Sequence, residues 1–134
     1  MAARQTFGKA EKLCSKKLIA EIFENGNNFY TPLFRVAWII SPVKLPSPAQ
    51  VAISIPKKNI RSAVSRNLIR RRVREAYRKN KQTLYDRLTS GNIQIAFVLV
   101  YKQCSITDYK TAERFVSEVI QTLCRLAGEI RQNP

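Results

Sequence analysis

The chain has no histidine, and its three cysteines, Cys14, Cys104 and Cys124, are far apart with no CxxC pair. That pattern argues against a zinc site and against a disulfide framework. The thiols read as buried, reduced side chains of a cytoplasmic protein. Without histidine the commonest general base is missing. Acids are also scarce: two aspartates (Asp86, Asp108) and seven glutamates (Glu11, Glu21, Glu24, Glu75, Glu113, Glu118, Glu129). None of them forms a DxD, so the clustered carboxylates of two-metal phosphodiester chemistry are not in evidence. No GxxxxGK[ST] or GxGxxG loop occurs. The longest apolar run, Ile95 to Tyr101, is too short to span a bilayer, and the first residues lack the apolar core of a secretory signal. These absences exclude a self-sufficient nuclease, a nucleotide-loop enzyme and a membrane span of helical type.

What the chain has in excess is positive charge. Its 134 residues carry 24 lysines and arginines against 9 acids, a formal charge of +15. Apolar content is 45%, ordinary for a folded protein, and the length suits a single domain over residues 1–134. A folded domain this basic is expected to meet phosphate, because each neutralised phosphate releases condensed counterions. The charge is also localised. Eleven of the 24 cations lie between Lys57 and Lys81, and "SRNLIRRRVREAYRKNK" (Ser65 to Lys81) opposes eight cations with Glu75 alone.

Ser15 can cap a short helix with Leu18, Ile19, Ile22 and Phe23 on one stripe, which Gly26 and its asparagines end. Leu33 to Ser41 is a strand, with a short extra strand near Phe29–Tyr30, and Gln50 to Ile55 reads as its partner across the proline turn Ser41 to Pro48. Asn92 to Tyr101 is almost wholly apolar, as a central strand buried on both faces should be. A last helix, capped by Thr107 or Asp108, carries Ala112, Phe115, Val116, Val119, Ile120, Leu123 and Ala127 at helical spacing. The pattern predicts an α+β protein, an α/β sandwich with a small sheet and one strand-helix-strand crossover.

The basic segment predicts a helix from Ala63 to about Asn80, capped by Ser62. Ile69, Val73, Ala76 and Tyr77 share the arc that should pack on the sheet; Asn67, Arg70, Arg71, Arg74, Arg78 and Lys81 share another. Solvated helix faces usually mix signs, and this arc holds no acid. Arginine dominates it, and its planar fork suits bidentate phosphate contacts. Lys57, Lys58 and Arg61 extend the patch into the preceding turn. Charge of this kind also fits a small ribosomal or RNA-chaperone protein, or a DNA-binding domain with its basic helix in a major groove.

"ISIPKKNIRSAVSRNLIRRRVREAYR", Ile53 to Arg78, resembles the signature region of the bacterial ribonuclease P protein subunit. The pattern is carried by Lys57, Lys58, Ala63, Val64, Arg66, Asn67, Arg70, Arg71 and Arg74, and equivalents of "FGKAEKL" and of Tyr109 to Leu123 extend it over nearly the whole chain. The resemblance implies an α-β-β-β-α-β-α order with a left-handed crossover, the fold of the second domain of ribosomal protein S5. It implies a role in tRNA maturation, in which a catalytic RNA holds the magnesium ions and removes the 5′ leader of precursor tRNA, with no cofactor in the chain. It further implies that Lys57, Lys58, Arg61, Arg66, Asn67, Arg70, Arg71, Arg74 and Arg78 face that RNA. A cleft between the first helix and the sheet, with Ile19, Phe23, Arg35 and Ala37, would take the leader. The implied assembly is a monomeric protein in a one-to-one ribonucleoprotein in the cytoplasm. Two departures stand out: Leu68 replaces the usual arginine after Arg66-Asn67, and Asn59-Ile60-Arg61 makes the turn one residue longer. Leu68 is expected to be covered by the turn carrying Ile60.

Overall fold

A computed structural model describes residues 7–132. A single 3₁₀ turn, Lys9–Glu11, precedes helix α1, Lys16–Asn25. Ser15 caps α1 as the sequence predicts, its Oγ accepting the Leu18 N–H at 3.2 Å. Strands β1 (Asn27–Tyr30) and β2 (Phe34–Ile40) follow as a hairpin, closed at Thr31, whose Oγ1 accepts the Phe34 N–H at 2.9 Å. Strand β3 is Ala49–Ser54, helix α2 Ala63–Asn80, helix α3 Gln82–Gly91, strand β4 Ile95–Tyr101 and helix α4 Tyr109–Gln132. The cap of α4 is Asp108: hydrogen bonds from the Thr111 hydroxyl and amide hold its carboxyl below the usual range.

Helix α3 lies outside the expected order. Its sequence, QTLYDRLTSG, has only Leu84 and Leu88 as an i, i+4 apolar pair, both fully buried. It ends at Asn92, which takes the left-handed conformation (φ 55°) that asparagine tolerates at a helix terminus.

The sheet order is β1-β2-β4-β3. The expected pairing of Gln50 to Ile55 with Leu33 to Ser41 is therefore wrong. Strand β4 lies between them, antiparallel to β2 (Val36 opposite Leu99) and parallel to β3 (Val51 opposite Phe97). Two features explain it. The Ser41 to Pro48 link is a proline-rich loop, not a tight turn, and it is held by Gln94, whose side-chain amide bonds both the N–H and the C=O of Leu45. And β4, buried along its length, needs cover on both faces and a neighbour on each edge.

Alternation divides the sheet's residues between two apolar layers. Val36, Trp38, Val51, Phe97 and Leu99 face α2, α3 and α4 and join Ile69, Val73, Leu84, Leu88 and Val116 in the larger core. Ala37, Ala96 and Val98 face α1 and pack with Leu13, Leu18 and Ile22. Helix α1 is only ten residues long, so it covers part of that second face and leaves Ala52 and Val100 only partly buried. The segment before α1 straps the outer edge of β3: the Leu13 N–H bonds Val51 O at 3.0 Å, and Gln50 Nε2 bonds Ala10 O at 3.0 Å. Of the cysteines, Cys124 is buried, but Cys14 and Cys104 are exposed. The expectation of three buried thiols fails because these two sit in the segments just before α1 and just after β4, outside both layers. Among the described residues no helix is long and apolar enough to cross a membrane.

Candidate nucleic-acid interface

The turn before α2 is built to present charge. Pro56 O accepts the amides of Asn59 and Ile60 at 3.0 and 3.1 Å, Ile60 is buried in the larger core, and Asn59 Nδ2 bonds Tyr101 O at 3.2 Å. Lys57, Lys58 and Arg61 are left exposed on its outside. Ser62 caps the helix, accepting the Ser65 N–H at 3.3 Å. Arg66 is a signature residue, but one of its nitrogens is already engaged: Nη1 donates to Ile60 O at 3.0 Å and Arg61 O at 2.7 Å. The side chain thereby fixes the turn that carries the other cations.

Along α2, Ile69, Val73, Ala76 and Tyr77 are buried as expected. Asn67 and Arg71 are exposed, and Arg70 is half-exposed with Nη1 on Asn67 Oδ1 at 3.0 Å. The C-terminal half departs from an acid-free stripe. Arg78 is paired with Glu75 at 2.5 Å, and that hydrogen bond holds the Glu75 carboxyl below its usual value. The Arg74 guanidinium lies 5.8 Å from the Phe7 ring centroid, its Nε buried with no partner among the described residues. Lys81 is not on the stripe at all. It is buried and ion-paired with Glu11, which also accepts from the Gly8 amide and the Tyr85 hydroxyl, each at 2.7 Å. Burial opposes the charge on Glu11, but these hydrogen bonds outweigh it and lower its pKa. Burial also pushes the Tyr77 and Tyr85 hydroxyls up.

Nor does Leu68 behave as expected. Ile60 turns inward, and Leu68 stands half-buried in an open groove whose other walls are Phe7, Tyr109 and the side chains of Arg71, Arg72, Arg74, Glu75 and Arg78. Arg72 reaches across to the segment just before α4, donating to Thr107 O at 2.6 Å.

The second cationic surface lies on the α1 side of the sheet. Gly26 sets its geometry. A Cβ there would stand 2.3 Å from Ile22 O and 2.8 Å from Trp38 O, so only glycine lets α1 turn this closely onto β2. Phe23 is 44% exposed, a surface aromatic and not a core one, and the Arg35 guanidinium sits 5.6 Å from its ring centroid. Arg35 Nε is aimed by Asn28 Oδ1 at 3.1 Å. Ile19 is half-buried against the α1 core. Ala37, expected to line the same cleft, is completely buried. It lies opposite Val98, directly beneath α1, whereas Arg35 lies two residues nearer the open end.

A model of the ribonuclease P family matches residues 7–124. The chain belongs to that family. It is similar to the ribonuclease P protein component of Porphyromonas gingivalis, 32% identical over 132 residues, 97% of this chain and 94% of that one. The ribonuclease P protein component of Chlorobium phaeobacteroides is 33% identical over 126 residues, 86% of each chain. Among solved structures, the Staphylococcus aureus RNase P protein superposes with a TM-score of 0.68 at 18% identity, over 85% of this chain and 95% of its own. The Thermotoga maritima RNase P protein gives 0.57 at 21% identity, over 87% and 94%. These likenesses show a shared fold.

Reading the chain as a ribonuclease P protein from sequence missed three side chains that the fold brings to these surfaces. Phe7 supports Arg74 and meets the Tyr77 ring edge-on at 5.8 Å. Tyr30 and Lys102 join the cleft row from opposite ends of the sequence. The register could have revealed Tyr30, which pairs with Arg35 across the β1–β2 hairpin. Lys102 becomes visible only once β4 is placed beside β2.

Proposed function

We propose that this chain is the RNA-binding protein subunit of ribonuclease P, which with a catalytic RNA removes the 5′ leader from precursor tRNA. Lys57, Lys58, Arg61, Asn67, Arg70 and Arg71 grip the catalytic RNA, with Arg74 and Arg78 at the far end of the same face. Arg66 acts by holding the turn. Phosphate contacts of this kind gain from counterion release and supply affinity without reading sequence. Phe23 and Arg35, beside Ile19, hold the unpaired leader, since single strands are bound by aromatic platforms flanked by cations. Magnesium ions on the RNA supply the hydrolytic chemistry, and the protein positions the substrate. It works as one copy per RNA, in the cytoplasm.

The observation that carries this reading is the turn and first half of α2, which expose a run of cations while Ile60 and Ile69 anchor them to the core. Reconstitution tests it. The protein alone should leave precursor tRNA intact, and addition of catalytic RNA and magnesium should give cleavage at the mature 5′ end. Metal-dependent cleavage by nuclease-free protein without RNA would overturn it.

A further inference from the structure

The most exposed aromatic side chain among the described residues is Tyr30, at 65%. It ends edge strand β1, and its cross-strand partner is Arg35. Lys102 follows the last residue of β4, and its Nζ sits 5.4 Å from the Tyr30 ring centroid. Lys102 is not a loose surface lysine. Its N–H bonds Leu33 O at 2.9 Å and its ammonium bonds Thr31 O at 3.0 Å, so both ends are tied to the loop joining β1 to β2. The row across this face therefore runs Lys102, Tyr30, Arg35, Phe23, an aromatic held by a cation, twice over. Both cation–ring distances fall inside the range of effective attraction.

We infer that Tyr30, capped by Lys102, is a second base-stacking platform, so that this face takes two unstacked bases of single-stranded RNA, one on Phe23 and one on Tyr30. The inference rests on the leader-cleft reading above and extends it to the sheet edge. Neighbouring strands lie about 4.8 Å apart, so Tyr30 on β1 and Arg35 on β2 stand side by side, and Phe23 on α1 lies against Arg35, within reach of the same extended segment. Arg35 stands between them, where a phosphate linking two splayed bases would lie, and Lys102 offers a second positive group at the outer end. A single strand fits this row better than a duplex, whose bases are not available to aromatic faces.

The test uses holoenzyme reconstituted with the catalytic RNA and precursor tRNAs in which single leader nucleotides are made abasic, one position at a time. Tyr30→Leu should weaken binding of a long-leader precursor by about 5- to 10-fold, the lower part of the range for one lost base stack. It should also erase the penalty of one abasic position, different from the position erased by Phe23→Leu. Tyr30→Phe should keep both the affinity and the abasic profile. Lys102→Gln should weaken binding by about two- to threefold and reduce its salt dependence. If Tyr30→Leu leaves affinity and profile at wild-type values while Phe23→Leu does not, the second platform is overturned and the cleft stands. If no abasic position matters for wild type, the leader cleft itself falls. Equal weakening by Tyr30→Leu of the binding of a mature tRNA without a leader would also overturn the inference.

Discussion

The two halves of α2 begin with the same raw material and use it differently. The turn and first half hold Lys57, Lys58, Arg61, Arg70 and Arg71, with their charge turned to solvent and their backbone fixed by Arg66 and Asn59. The second half engages its cations with groups of the protein itself. Arg74 lies on Phe7, Arg78 on Glu75, Lys79 over the Tyr109 ring and Lys81 on Glu11. One half leaves its charge open to solvent, as the proposed RNA interface requires; in the other, Arg74, Lys79 and Lys81 tie α2 to the N-terminal segment and to α4. Charge density along a sequence does not say which is which. For Arg74, Lys79 and Lys81 the discriminating feature is a carboxylate or a ring that comes from elsewhere in the chain.

The largest effect should come from breaking the fastening half. Glu11→Gln removes the carboxylate paired with the buried Lys81 ammonium and should cost about 2–4 kcal/mol, somewhat under the range for a broken buried pair because glutamine can still accept a hydrogen bond. Thermal or denaturant unfolding measures it, and the salt dependence of RNA binding should not change. The same pair predicts a pH dependence. Glu11 has its pKa lowered from 4.5 by folding. Its contribution is thus fully present above that value and is lost as pH falls through the lower folded value. Unfolding curves across that window should be steeper in pH for wild type than for Glu11→Gln.

Breaking the exposed half should do the opposite. Arg70→Ala with Arg71→Ala should flatten the salt slope of RNA binding by about one unit per lost phosphate contact, and move stability by less than about 0.5 kcal/mol. Arg74 is a poor choice for this pair, since its guanidinium packs on Phe7. A large loss of stability in the double variant would erase the contrast between the halves.

Leu68→Arg sharpens the boundary between them and should have the smallest effect. Leu68 stands half-buried among arginines, so the new charge loses little burial and meets repulsion of about a few tenths of a kcal/mol per neighbour. The melting temperature should change only slightly, and catalytic-RNA binding should tighten with a steeper salt slope. A destabilisation above about 1 kcal/mol would mean that Leu68 packs as a core residue.

Local signals in the sequence were read correctly where a single element decides the outcome. The caps at Ser15 and Ser62 and the buried arc from Ile69 to Tyr77 depend only on spacing within one helix. The strand pairing was missed because β2 and β3 are near in sequence, whereas the partner both need comes about forty residues after β3. Helix α3 was missed because two buried leucines are a thin signal. Ala37 in the expected cleft and Lys81 on the expected stripe are both displaced by contacts that only tertiary structure creates. Ala37 has the same strand parity as Arg35, and nothing in the sequence says that one is buried under α1 while the other stays half-exposed. Lys81 has the right helical phase for the stripe, and nothing near it in sequence points to Glu11.

The place of β4 at the centre of the sheet has a consequence for how the molecule is made. It is the last strand to leave the ribosome, yet β2 and β3 each find a partner in it and not in one another. Until Ile95–Tyr101 has emerged, the nascent chain holds one hairpin and one unpaired strand, with an arginine-rich helix between that strand and the missing one. Assembly must then close contacts between segments far apart in the chain, which slows folding and leaves strand edges exposed in the meantime. A polyanion bound early to the basic turn would meet a sheet not yet formed, so nascent chains that linger near RNA are where misassembly should be sought.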